Sequence, residues 1–486
     1  MAGKPLTIRN LTSTPIEFKR IARFDPPEDP KPDVSSLTSS FSSLVSNVKS
    51  NVTNTPAPIQ VLPGDAKPFS HKDVSLRVEP FARNRTDVVA FEKSDKERLR
   101  IIIEVGGEKH RIQVPVPTNE AETMTPLTDH PKFKFTGIFT RNPEPQLTVF
   151  SSANLRSWMK ELKDYTPLSA LSIPGTHNSP TCHLAPPSVR CQAVSPREQL
   201  RNGVRFFDIR CKPEFPGDPS KDSLILVHSA FPISLSGNKY FRELVDEIYG
   251  FLEHNPSETL IMSIKREGPG NHTDEQLSRV LFDHYAKEGE NRWFTKPKIP
   301  TLGEARGKIV LMRRFNLEDR LKKQNNGNGW GVDAGGWADN TPNATCPSGQ
   351  LCIQDFYEVL ETENIEKKIG FVSAHLDLAS AASYPAHPPG GPGAQGGPPK
   401  KFPFYVNFLS ASNFWKVGTW PEKIAAKINP ATVRYLCTRH GGDKGDWSTG
   451  ILVTDWVGQN GDWNLARCIV GMNAKLMLKQ QQEHKG

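Results

Sequence analysis

Two histidines, His177 in IPGTHNS and His228 in ILVHSAF, each follow an apolar strand-type run, and between them FFDIR carries Asp208 and Arg210. Two imidazoles flanking a held guanidinium are the groups needed to cleave a phosphodiester by proton transfer, one ring taking a proton while the other gives one. A single histidine in a turn is more often a hydrogen-bonded structural group. Two of them, each just past an apolar strand, point to an acid and a base. Spacing by two sets Asp208 and Arg210 on one face of a strand. That pair reads either as a structural ion pair or as a carboxylate aiming the forked donors of Arg210 at a phosphate. Lys265 and Arg314 end later runs, TLIMSIK and KIVLMRR, so several cations should converge on one rim and attract an anion. Asp355 and Tyr357, in CIQDFY, add a hydroxyl acceptor and a flat ring suited to a sugar-like ring.

The elements that must hold these residues begin at about residue 153. The runs are SALSIPG, RFFDIR, LILVH, TLIMSIK, KIVLMRR, LCIQD, FYVNFLS and GILVTDWVG, several separated by helical patterns such as KYFRELVDEIYGFLEHN. This is the pattern of parallel strands closed into a TIM-like (β/α) barrel, an α/β fold whose chemistry sits at the C-terminal strand ends. Residues 1–150 instead alternate short β-type runs with polar or proline-bearing turns, and predict a small all-β sandwich-like domain ahead of the barrel domain at 151–486. Within the first domain, residues 30–57 are rich in Ser, Pro and Asn and read as a loop or a short amphipathic helix. In the second, a Pro/Gly insertion spans 384–400. The Gly-rich stretch at 325–340 lacks the GK[ST] ending of a phosphate loop and reads as a rim loop carrying Trp330 and Trp337.

Composition narrows the partners. The 486 residues include 61 Lys+Arg against 53 Asp+Glu, a net charge of +8, without the dense basic runs of a nucleic-acid binder. An anionic membrane surface or a phosphorylated substrate fits better than nucleic acid. No run of eighteen apolar residues could span a bilayer, and the start MAGKPLTIRN lacks the apolar core of a secretory signal. A cytoplasmic protein with peripheral membrane association is expected. The seven cysteines match no zinc spacing and read as free thiols, with Cys182–Cys191 or Cys346–Cys352 as loop-closing pairs only if the chain is exported. Phe414, Trp415 and Trp420, in SASNFWKVGTWP, follow a barrel strand and suit a lipid headgroup layer, although Trp420 could equally pack on a neighbouring helix.

The combination of LRSWMKEL, PLSALSIPGTHNSPT, REQLRNGVRFFDIRCKP, ILVHSAFPI, NPSETLIMSIKREG and ILVTDWVG resembles the catalytic X-type domain of phosphatidylinositol-specific phospholipase C, in its bacterial form. The resemblance covers most of residues 153–460 and leaves out the first 150. It implies a distorted or incomplete barrel and cleavage of a phosphatidylinositol-type lipid to diacylglycerol and a 1,2-cyclic inositol phosphate. On this chain it implies His177 as general base with Asp455 behind it, His228 as general acid, and Arg210 on the phosphate. Lys265, Arg314, Asp355 and Tyr357 would bind the inositol. The calcium-dependent relatives have carboxylates where Arg210 and Lys265 stand, so no metal or other cofactor is expected, Arg210 taking the place of the cation. The bacterial motif has Asp after the first histidine whereas this chain has Asn178, so assistance to His228 is expected to come from Asp208 or to be weaker. Two rival readings are a metal-dependent glycerophosphodiester phosphodiesterase and a catalytically weak inositol-lipid-binding module.

Overall fold

The computed structural model describes residues 3–26, 62, 65–94, 96–114, 121–287, 289, 291–361, 363–385 and 402–482. The loop or helix expected at 30–57, and nearly all of the insertion at 384–400, lie outside them. The chain divides into two compact units, residues 1–10 with 14–149, and residues 11–13 with 150–486.

In the first unit the period-two pattern makes strands. Arg98–Val105 buries Leu99, Ile101, Ile103 and Val105 and turns the residues between them outward. Two five-stranded sheets form, one ordered Arg83–Val89, Pro5–Leu11, Gln146–Ser151, Phe135–Thr140, Ala121–Thr123, the other Ser70–Val78, Ile16–Phe24, Arg98–Val105, Glu108–Val114, Thr125–Pro126. Leu6, Ile8, Phe18, Ile101, Phe135 and Leu147 from both sheets share one core, which makes the unit a β-sandwich.

The second unit is built on a curled sheet of eight parallel strands. Their order is Trp293–Phe294, Ile309–Arg313, Leu260–Arg266, Phe206–Pro213, Ile173–Thr176, Ile451–Thr454, Phe404–Phe408 and Leu351–Gln354, with Ala344–Thr345 antiparallel at the last edge. No strand pairing joins the two edges among the described residues, so the barrel is incomplete rather than closed. That agrees with the incomplete barrel the family resemblance implies, but one correction concerns LILVH. The strand Leu224–His228 is not a barrel strand but runs antiparallel to Phe206–Pro213. The connection over 214–223 carries no helix and is shorter than a parallel crossover requires, so the chain can only fold straight back.

Alternation along the barrel strands decides what the interior contains. Phe207, Ile209 and Cys211 point outward and pack with Leu244, Val245 and Ile248 of the helix Phe241–His254. Phe206 points the other way into a second core with Ile261, Val310, Val406 and Val453. The same face therefore carries Asp208 and Arg210 upward from Phe206 toward the rim. Beneath the sheet, Arg205 and Glu258 form a wholly buried ion pair at 2.9 Å. The Arg205 guanidinium also donates to the carbonyls of Leu155, Arg156, Leu200 and Val204.

Candidate active site

Register brings the chemistry-bearing residues to one level. Thr176 pairs with Phe207 and Thr454, which sets His177, Asp208 and Asp455 one step above them. Arg210 pairs with Lys265, and Ile264 with Arg313, so Arg314 rises beside Lys265. His228 arrives differently. Phe206–Pro213 overshoots the rim, Cys211 pairs with Leu226, and extending that antiparallel register returns His228 opposite Ile209. The chain then turns sharply after each of three of these residues. Asn178, Ser229 and Trp456 all have left-handed backbone, with φ of 41°, 51° and 50°. Such conformations are strained for residues other than glycine and cluster where a side chain must be aimed.

The rim surrounds a cavity of about 600 Å³ lined by His177, Arg210, His228, Lys265, Glu267, Arg314, Asp355 and Tyr357 among others, a size suited to a small polar ligand. His177 donates from Nδ1 to Asp455 Oδ1 at 2.9 Å, and its Nε2 accepts from the Asn178 amide at 3.1 Å. Burial works against charge on this ring, but Asp455 and Cys191 outweigh it and hold the imidazole well above its ordinary pKa. The His228 ring centroid is 5.9 Å away, with the two rings perpendicular. Its Nδ1 donates to the Val189 carbonyl at 2.7 Å, leaving Nε2 with a lone pair or a second proton. Its pKa too is raised, with burial opposed by Cys191.

Arg210 is clamped between two carboxylates. Its Nε and Nη2 donate to Asp208 Oδ2 at 3.2 and 3.0 Å, and its Nη1 donates to Glu267. Glu267 also accepts from Lys265 Nζ at 3.0 Å and from the Ser229 N–H at 2.9 Å. Burial alone would raise its carboxyl, yet Arg210 and Lys265 hold it far below the carboxylate range. Arg314 reaches Asp208 Oδ1 at 3.5 Å and lies 3.7 Å from the Trp337 ring centre, a cation–π contact. Trp337 in turn donates its indole N–H to Asp355 Oδ2 at 3.0 Å. The Tyr357 hydroxyl donates to Asp339 at 2.8 Å, and burial with that carboxylate pushes its pKa up to about 12.

Three expectations are corrected here. Neither Asp208 nor Asn178 assists His228: Asp208 is committed to Arg210, Arg314 and the Asn178 N–H, and the Asn178 amide faces His177. The Val189 carbonyl and Cys191 take that place, because the loop preceding the helix Pro196–Arg201 folds over the rim. Trp420 is half-buried, with its indole N–H bound to the Phe414 carbonyl, so it braces its own loop. Trp415, by contrast, is 88% exposed. The stretch at 325–340 is not simply a rim loop, since Trp330 is buried in the core and Trp337 enters the site.

Sequence reasoning passed over four residues. Glu267 follows Lys265 by two, one step past the strand Leu260–Arg266, and that spacing could have found it. Gln192 donates to the carbonyls of His177 and Thr454, tying two strand ends together from an irregular loop that has no periodic signal. Lys368, wholly buried, donates to Gln354, and burial brings its pKa down to about 7 against the pull of Asp355 and Asp455. Cys191 lies against both catalytic-type histidines, with its sulfur 3.9 Å from His228 Nδ1. None of the seven cysteines is in a disulfide, so neither conditional pairing is present.

Residues 165–315 match the family model described as phosphatidylinositol-specific phospholipase C, X domain. The 1-phosphatidylinositol phosphodiesterase of Staphylococcus aureus strain Newman is 28% identical over 320 residues, covering 63% of this chain and 90% of that protein. The Listeria monocytogenes protein of the same name is 35% identical over 185 residues, covering 36% of this chain and 53% of that one. A solved structure of the Staphylococcus aureus phosphatidylinositol-specific phospholipase C superposes with a TM-score of 0.51 at 24% identity, over 65% of this chain and 97% of that one. That likeness is one of fold, a TIM-type barrel.

Proposed function

We propose that this chain, whose residues 165–315 match the X-domain model of phosphatidylinositol-specific phospholipase C and which is similar to the bacterial phosphodiesterases above, cleaves phosphatidylinositol-type lipids to diacylglycerol and inositol 1,2-cyclic phosphate. The observation that carries the reading is the pair of perpendicular imidazoles with centroids 5.9 Å apart beside a doubly anchored guanidinium. Nε2 of His177, its tautomer set by Asp455, removes the proton from the inositol 2-hydroxyl. The freed oxygen attacks phosphorus, the bond from phosphorus to the diacylglycerol oxygen breaks, and His228 delivers a proton to that oxygen as it leaves. Arg210 neutralises charge on the non-bridging oxygens from a position fixed before substrate arrives. Lys265, Arg314, Asp355 and Tyr357 bind the inositol hydroxyls from the cavity wall.

The reaction needs no metal. Asp208 and Glu267, the carboxylates nearest the phosphate position, are already engaged by Arg210, Arg314 and Lys265, which leaves them poor ligands for a hard dication. The site works at a membrane surface reached by peripheral contact. Among the described residues no helix is long and apolar enough to cross a membrane, and one matched structure concerns modulation of the Staphylococcus aureus enzyme's membrane binding.

Phosphorus NMR of phosphatidylinositol vesicles with the full chain and a chelator tests the proposal. A cyclic phosphate resonance is expected. Turnover only after a divalent metal is restored, with an acyclic product, would support a metal-dependent phosphodiesterase instead. Lipid binding without any product would leave only a binding module.

A further inference from the structure

We infer that His177, Cys191 and His228 together form a binding site for a thiophilic divalent cation of the zinc type, and that its occupation holds the enzyme in a reversible inactive state. One ligand atom from each of the three residues lies within 4.8 Å of the other two. A tetrahedral zinc with nitrogen ligands at about 2.0 Å and sulfur at about 2.3 Å wants its donor atoms roughly 3.3–3.6 Å apart. The donors thus need to close by only about an ångström, within reach of side-chain rotation. Two nitrogens and a sulfur make a borderline-soft set that selects zinc over magnesium or calcium.

The surroundings favour the cation further. Asp455 on Nδ1 of His177 is the carboxylate–histidine arrangement that orients an imidazole toward a metal and raises its basicity. Cys191 is buried and held at both backbone ends, its N–H on the Thr181 hydroxyl at 3.1 Å and its carbonyl accepting from the Trp456 N–H at 2.8 Å. The sulfur therefore stays beside the two rings. The nearby guanidinium does not bar a second cation, because Asp208 and Glu267 already pair with it. On binding, the thiol proton and any proton on the ligating ring nitrogens leave to solvent, and no other bond changes.

With both imidazoles coordinated, neither can accept or give a proton, so turnover stops. This inhibitory half rests on the proposed acid-base function, while the binding half does not. Chelation would restore activity, which makes the site a sensor of free zinc rather than a cofactor site.

Cobalt(II) titration of the metal-stripped full chain separates the two halves. The expected result is a thiolate-to-cobalt charge-transfer band in the near ultraviolet that saturates at one equivalent, is displaced by zinc, survives C182S and disappears in C191S. H228A, which keeps the sulfur, should weaken cobalt binding by about 100-fold, by analogy with the loss of a metal-orienting group, so the conclusion does not depend on one variant's folding. In parallel, zinc should abolish phosphatidylinositol turnover by the wild type, with recovery on chelation. C191S, measured against its own metal-free rate, should need about 100-fold more zinc for half-inhibition. No band at one equivalent, a band unchanged in C191S, or equal zinc sensitivity of C191S and wild type would overturn the inference. A cobalt band in a protein that turns over no inositol lipid would instead sink the proposed function and leave the metal site standing.

Discussion

His177 depends on Asp455 in two ways that can be measured. The carboxylate fixes the tautomer through a 2.9 Å bond and holds the ring's pKa up. A base acts only when deprotonated, so activity should fall as pH drops through a value above 6.5, the ring's ordinary pKa. In D455N, assayed with chelator present, kcat should drop about 10²–10⁴-fold and the acid limb of the remaining activity should move to lower pH. An unmoved limb would mean that some other group titrates. The side chains around this pair were largely legible, because His177 and Asp455 each sit one step past a strand and Arg210 lies within one, and strands announce themselves by apolar runs. The partners of His228 were not. Val189 and Cys191 come from an irregular loop whose residues carry no period, so no spacing ties them to the histidine.

Strands and turns place these groups by alternation and register. Phe206, Asp208 and Arg210 share a face only because the strand Phe206–Pro213 keeps its period of two from core to rim. That much could be read from RFFDIRC. The direction of the neighbouring strand could not be read from LILVH itself, since an apolar run looks the same either way. The helix-free connection before it was the available sign. Arg205, at the foot of the same strand, was read as part of an apolar run, yet its guanidinium is buried against Glu258 and four carbonyls. Replacing one partner strands a buried charge. E258Q should therefore lower the unfolding free energy of the barrel unit by about 3–5 kcal/mol, read as a shift in denaturant midpoint, while R210K, whose partners are at the rim, should alter activity far more than stability.

Over the whole molecule, the sandwich and the incomplete barrel follow from the change of texture near residue 150, from closely spaced β-type runs to strands interleaved with helices. The pattern of runs alone does not decide barrel closure, because closure depends on pairing between strands distant in sequence; the family resemblance supplied the incomplete barrel. Part of the exposed apolar surface of the second unit borders the cavity. Phe231 stacks on Phe414 at 5.4 Å, Phe414 abuts Trp415, and Leu235, 67% exposed, bonds through its N–H to the carbonyl of Leu184, 77% exposed. Phe231 and Phe414 also line the cavity, so an apolar rim borders the opening through which a headgroup would enter. W415A should weaken binding to phosphatidylinositol vesicles by roughly tenfold, the scale of one buried large side chain, and leave cleavage of a soluble inositol phosphate ester near the wild-type rate. Equal losses on both substrates would place Trp415 in the site rather than at the membrane.

The claim beneath all of this is a division of labour, with His177 taking the proton of the attacking hydroxyl and His228 giving one to the leaving oxygen. The most direct test replaces the lipid with an inositol phosphate ester of p-nitrophenol, whose anion departs without being protonated. H228A should lose about 10²–10⁴-fold on phosphatidylinositol and recover most of that loss on the nitrophenyl ester, whereas H177A should stay impaired on both. Equal recovery by the two variants, or recovery by neither, would contradict the assignment.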